Sequence, residues 1–140
     1  MDRKIREQII AIYSNLQHKQ DLTQFAHCLT TKADDNCEDF FNLGLQFQNN
    51  QLTALGFNGE GCIISTIASE LTLSALEGKT IKEAIVLLEQ FMKAVQTGSL
   101  STPLPQALQL LWDFQIDQKR LNCLLLTPQN LLQWLKDFSH

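Results

Sequence analysis

The chain has 140 residues, 44% of them hydrophobic and 19% charged, which suffices for one ordinary core and excludes bulk disorder. A net charge of −4 with scattered Lys and Arg excludes the basic face of a nucleic-acid binder; Arg3, Lys4 and Arg6 form only a short cluster, read as a solvated helix face. No apolar run approaches the roughly 20 residues that span a bilayer, and the charged start lacks a signal-peptide core, so the expectation is one cytoplasmic domain over residues 1–140 with no nucleic acid and no membrane among its partners.

From about residue 3 to 16, Ile5, Ile9, Ile12, Tyr13 and Leu16 recur at helical spacing and predict an amphipathic helix. Residues 17–36 are polar and irregular, with Leu22, Phe25 and Leu29 suited to a short strand. The period then drops to two. Phe41, Leu43, Leu45 and Phe47 alternate with polar residues or glycine, Asn49-Asn50-Gln51 is a turn, and Thr53, Leu55 and Phe57 continue, so 39–58 reads as a hairpin closed off by Gly59-Glu60-Gly61. An apolar stretch from Cys62 to Leu76 predicts a helix stopped by Gly78. Thr80 and Glu83 have capping-box spacing ahead of Ile81, Ala84, Ile85, Leu88, Met92 and Val95. Residues 97–103 form a loop; too little chain follows it for a second core. Leu104, Leu108, Leu111 and Trp112 suggest a short helix. Thr127-Pro128 is read as an N-cap and first-turn proline of a last helix carrying Leu131, Leu132, Leu135 and Phe138. The resulting class is α+β.

Four cysteines in a reducing compartment are packed side chains, metal ligands or reactive thiols rather than disulfides. Cys37 precedes the first clear strand, and Asp39, two residues on, points to the same side of an extended chain, so the two can chelate a metal such as zinc; Cys-x-Asp is a weak pattern, and on spacing alone a polar turn with an ordinary cysteine and solvated acids is the favoured account. Cys62 follows Gly-Glu-Gly at a helix start, where unpaired N–H groups and the helix dipole favour an anion; burial against the sheet is the alternative. Cys123 lies near Lys119 and Arg120, two cations that favour an anionic sulfur, but it also borders the apolar run Leu124-Leu125-Leu126. Cys28 reads as a packed or half-exposed thiol, and His18, His27 and His140 as surface or satisfied side chains. No paired Cys-x-x-Cys, phosphate loop, nucleophile elbow or dinucleotide fingerprint occurs.

Taken together, these segments resemble the SufU/IscU (NifU N-terminal-like) family of iron–sulfur cluster assembly proteins. Phe57-Asn58-Gly59-Glu60-Gly61-Cys62-Ile63-Ile64-Ser65 is similar to the family's Phe-x-Gly-x-Gly-Cys-x-x-Ser segment. Leu76-Glu77-Gly78-Lys79-Thr80 is similar to its helix end, and Asn36-Cys37-Glu38-Asp39 stands where the family has Asn-Pro-x-Cys-Gly-Asp. Arg120-Leu121-Asn122-Cys123 is similar to the Arg-x-x-Cys of the SufU branch, and Asn122 replaces the His that IscU-type members carry. The 60 residues between Cys62 and Cys123 leave room for a SufU-like insert. Four departures stand out. The family's Pro before Cys37 is absent, Glu38 replaces a glycine, Glu70 replaces a small polar residue, and the family's Asp-His-Tyr and Pro-Arg-Asn segment is not recognisable in Leu16-Gln17-His18-Lys19-Gln20.

The resemblance implies a three-stranded antiparallel sheet packed against five or six helices, and zinc on Cys37, Asp39, Cys62 and Cys123. It also implies a persulfide acceptor at Cys37, with Arg120 steering the anionic sulfur, a cysteine desulfurase as donor, and an iron–sulfur apo-protein or scaffold downstream. A scaffold reading has the same cysteines, Cys37, Cys62 and Cys123, hold a transient 2Fe–2S cluster. A third reading is a zinc-stabilised adaptor without sulfur chemistry.

Overall fold

A computed structural model describes residues 3–31, 39–114 and 116–139. Helix α1 (Arg3–Tyr13) is followed by β1 (His27–Thr30), β2 (Phe40–Gln48) and β3 (Gln51–Glu60). Helices α2 (Ile63–Leu76), α3 (Ile81–Thr97), α4 (Gln106–Asp113) and α5 (Leu121–Phe138) complete the chain, with one 3-10 turn at Gln118–Arg120. The strands form one antiparallel sheet in the order β1-β2-β3, so the expected α+β class and three-stranded sheet are found.

The hairpin follows from local chemistry. Asn49 and Asn50 both take positive φ, 56° and 64°, which gives the two-residue turn whose twist matches paired strands. Gly44 leaves a gap on the sheet: a Cβ there would lie 2.6 Å from the Phe25 ring and 3.0 Å from Leu22. Leu22 and Phe25 therefore pack over the sheet ahead of β1, and of the three apolar residues assigned to a short strand only Leu29 lies in one. Strand β3 runs on to Glu60 instead of ending at Phe57-Asn58. Gly59, at φ 118°, pairs with Phe41 and carries the ladder two residues further.

Helix α2 is buried nearly all round, as expected of a helix sandwiched between layers. Leu73 and Leu76 join the sheet-side core with Phe41, Leu43, Leu45, Leu55 and Phe57. Ile64, Ile67, Ala68 and Leu71 face a second core made with α1, α4 and the start of α5. The predicted capping box opens α3: the Glu83 N–H donates to Thr80 Oγ1 at 3.1 Å, and the Thr80 N–H donates to Glu83 Oε1 at 2.9 Å. Thr80→Ala is expected to cost about 1 kcal/mol, measured as a shifted urea midpoint with an unchanged slope.

The last helix departs from expectation. Helix α5 begins at Leu121, so Thr127 is not its N-cap and Pro128 lies inside it. An interior proline costs a helix roughly 3 kcal/mol through its missing N–H and ring clash. Here tertiary contacts outweigh that. Leu124, Leu126 and Leu131 are buried, and the Thr127 hydroxyl meets Ser69 Oγ of α2 at 2.6 Å. The threonine read as a cap is a contact between two crossing helices. No helix among the described residues is long and apolar enough to cross a membrane.

Candidate metal centre

Asp39 stands immediately before β2, Cys62 caps the N-terminus of α2, and Cys123 lies in the first turn of α5. One carboxylate oxygen and the two sulfurs lie within 4.8 Å of one another, all partly buried. The helix start explains how Cys62 is held. Its extended backbone puts the sulfur over the first turn, where the Ser65 N–H donates to Sγ at 3.4 Å. Burial of α2 against α5 then sets Cys123 beside it. Asp39 is drawn in from the sheet side, and the Ser65 hydroxyl donates to its Oδ2 at 2.9 Å.

Burial alone would raise the Asp39 carboxyl pKa. Hydrogen bonds from the Cys62 amide, the Ser65 hydroxyl and the Cys62 and Cys123 thiols outweigh it and hold the carboxyl below its ordinary range. The donor set suits zinc. Tetrahedral zinc with sulfur at about 2.3 Å and oxygen at about 2.0–2.2 Å separates its ligand atoms by roughly 3.5–3.8 Å, about an ångström tighter than the widest spacing allowed here. Two thiolates and one carboxylate leave a fourth position. Cys37, the expected fourth ligand and sulfur acceptor, lies outside the described residues, as does Glu38.

Arg120 is exposed at the end of the 3-10 turn, three residues before Cys123. It lines a groove of about 800 Å³ together with Arg6, Lys119, Asp117 and the apolar side chains of Ile5, Ile9, Ile63 and Phe114. Cys28 is exposed, its sulfur 3.9 Å from the Leu22 carbonyl, in keeping with a thiol outside the cluster. His27 packs edge-on against Trp134 and Phe138.

His18 is a buried, satisfied side chain rather than a surface one. It is 8% exposed, and its Nδ1 meets Glu70 Oε2 while its Nε2 lies 2.9 Å from Glu77 Oε2. The backbone N–H groups of Gln17 and His18 both donate to Glu70 Oε1, at 2.8 and 2.9 Å. The same segment hydrogen-bonds along β3: Phe57 N–H donates to the His18 carbonyl and Gln20 N–H to the Phe57 carbonyl, both at 2.9 Å. Glu70 thus fastens residues 17–20 along β3 a few residues before Cys62. Ser65 also escaped the sequence reading as a functional residue. Its signal was present, since a polar residue three positions after a helix N-cap is placed to bond back to it.

A small α+β protein that converges two thiols and a carboxylate at the junction of a sheet and a helix N-terminus is a candidate metal or sulfur carrier. The chain belongs to the family described as NifU-like N terminal domain, which matches residues 4–107. A Mycoplasma pneumoniae protein described as an MG337 homolog is 99% identical over 140 residues, the full length of both chains. The iron–sulfur cluster assembly scaffold protein IscU of Streptococcus pyogenes is 35% identical over 60 residues, 43% of this chain and 38% of that protein. The crystal structure of a NifU-like N-terminal protein from Brucella abortus superposes with a TM-score of 0.78 at 14% identity, over 95% of this chain and 92% of that one. The structure described as FiSufU, of the SUF system of Fervidobacterium islandicum, gives 0.70 at 20% identity over 94% and 96%. These two structures speak for the fold. Cys123 lies beyond the family match, yet the fold carries it to Asp39 and Cys62.

Proposed function

We propose that the chain is an iron–sulfur cluster assembly protein that accepts persulfide sulfur from a cysteine desulfurase at a zinc-bearing site. The convergence of Asp39, Cys62 and Cys123 from three distant segments is the observation that carries this reading. Bound zinc would keep the ligating sulfurs deprotonated and ordered. Cys62 and Cys123 supply thiolates held by a helix start and by a helix crossing, and Asp39 supplies the exchangeable oxygen. Cys37, two residues before Asp39, is the acceptor. Its thiolate attacks the outer sulfur of the donor's cysteine persulfide. The donor's sulfur–sulfur bond breaks, the donor cysteine leaves as thiolate, and a persulfide forms on Cys37 with no net oxidation. Arg120 is the proposed steering residue; it lines a groove with Arg6 and Lys119, cations suited to an anionic sulfur donor.

The test is desulfurase turnover with this protein added. The parent is expected to stimulate turnover severalfold, and Cys37→Ala to abolish the stimulation while keeping the fold. A Cys37→Ala protein that stimulates as well as the parent sinks the acceptor role. Anaerobic reconstitution separates the scaffold reading: a stable 2Fe–2S absorption spectrum that transfers to an apo-protein would support a cluster carrier.

A further inference from the structure

We propose that Ser65 is a positioning residue whose hydroxyl holds the Asp39 carboxylate in its ligating orientation and so sets the rate of metal release. The inference rests on the metal-site reading above. Ser65 is 1% exposed and third in α2. Its Oγ lies 2.9 Å from Asp39 Oδ2, 3.0 Å from the Cys62 carbonyl and 3.5 Å from Cys62 Sγ. A serine hydroxyl has a single proton, and an ionised carboxylate outcompetes a neutral carbonyl for it. The proton therefore goes to Oδ2, which pins one oxygen and so fixes the orientation of the whole carboxylate.

The surrounding chain is built for this contact. A Cβ on residue 61 would lie 2.5 Å from Ser65 Oγ and 2.7 Å from the Phe41 ring, so glycine there is what admits the hydroxyl. The Ser65 N–H holds the sulfur of Cys62. One residue thus spans two of the three clustered groups, by its amide and by its hydroxyl. Among the described residues Asp39 is the one oxygen donor of the cluster, and the group most readily exchanged for an incoming sulfur. Its freedom to swing away depends on whether Ser65 restrains it.

The experiment measures zinc release to a chromophoric chelator from the full-length protein, with the absorption spectrum of the cobalt-substituted form as a second readout. Ser65→Ala is expected to release zinc about 10-fold faster or more, within the range that outer hydrogen-bond partners of metal ligands command. In an Asp39→Ala background the same substitution should change the rate by less than about twofold, because the two changes then remove one interaction. Equal acceleration in both backgrounds means general loosening and overturns the proposal, as does no acceleration in the parent background. Ser65→Thr keeps the hydroxyl and should retain near-parental release and an unaltered cobalt spectrum. Release as fast as in Asp39→Ala overturns the proposal even if the alanine variant does not fold. A parent protein that binds no zinc at all overturns the metal-site reading itself.

Discussion

Glu70→Ala is expected to lower the stability of the fold by about 3–5 kcal/mol, the range for removing one partner of a buried ion pair. Glu70 is 4% exposed and accepts from two backbone N–H groups and the Ser74 hydroxyl as well as from His18, so truncation removes the acceptor of four donors at once. His18→Ala should cost less, because Glu70 keeps both amides and the Ser74 hydroxyl at 3.3 Å. Glu77 is the control. Its side chain is 46% exposed, and Glu77→Ala should cost under about 1 kcal/mol. Chemical denaturation of the three variants checks the order, and a Glu70→Ala protein as stable as Glu77→Ala would falsify the buried clasp.

The clasp also fixes a pH signature. The hydrogen bond to Glu70 outweighs the opposing effect of burial and, with Glu77 and the charges of both carboxylates, raises the His18 pKa from 6.5 to about 9. A raised folded pKa means stabilisation that is complete below the unfolded value and lost as pH rises through the folded one. His18 therefore contributes fully below about 6.5 and progressively less toward pH 9. Glu70 runs the other way. Burial alone would raise it, but His18 and the two amides win and depress it, so its contribution is present above its ordinary 4.5 and lost as pH falls through its lowered value. The pair should give a stability plateau in mildly acidic solution with a fall on the alkaline side. Glu70→Gln should flatten that alkaline fall without abolishing it, since Glu77 still faces the ring.

The clasp joins two places that the resemblance marks as departures from the family pattern. Glu70 and the segment Leu16–Gln20 look unrelated along the chain, 50 or more residues apart, and in the fold they are one contact. A lone histidine carries no local sign of such a partner, which is why His18 reads as ordinary. Other features were legible because their causes are local. Alternation over Phe41–Phe47, the Asn-Asn turn, the Thr80–Glu83 box and the helix start at Cys62 each depend on a few neighbours. The start of α5 was not legible. Its first turns are a run of leucines without helical period, and Thr127-Pro128 imitates a beginning until the contact with Ser69 is known. Local physics made Asp39, Cys62 and Cys123 plausible singly; the family resemblance grouped them, and packing of α2 between the sheet and α5 draws them together.

Gly59→Ala is expected to damage both stability and the metal centre. Gly59 has φ 118°, a region almost closed to other residues, at a strain of about 1–3 kcal/mol. Its missing Cβ would also lie 2.4 Å from the Phe40 carbonyl oxygen and 2.9 Å from Phe41 Cα, backbone atoms that cannot rotate away. Overpacking of this kind adds about 1–3 kcal/mol, so a total loss of about 2–6 kcal/mol is expected. Gly78 and Gly98 provide the comparison. Both have positive φ, 84° and 73°, but nothing within 4 Å of an added Cβ, and alanine there should cost only the conformational strain of about 1–2 kcal/mol. The functional consequence follows from position. Phe40 directly succeeds Asp39, so a strand pushed off Gly59 carries the carboxylate away from Ser65 and Cys62. Zinc release from Gly59→Ala should therefore quicken, whereas Gly78→Ala and Gly98→Ala should release zinc at the parental rate. If all three alanine variants hold zinc alike, the alignment of Asp39 does not depend on the close approach of β2 and β3 at Gly59.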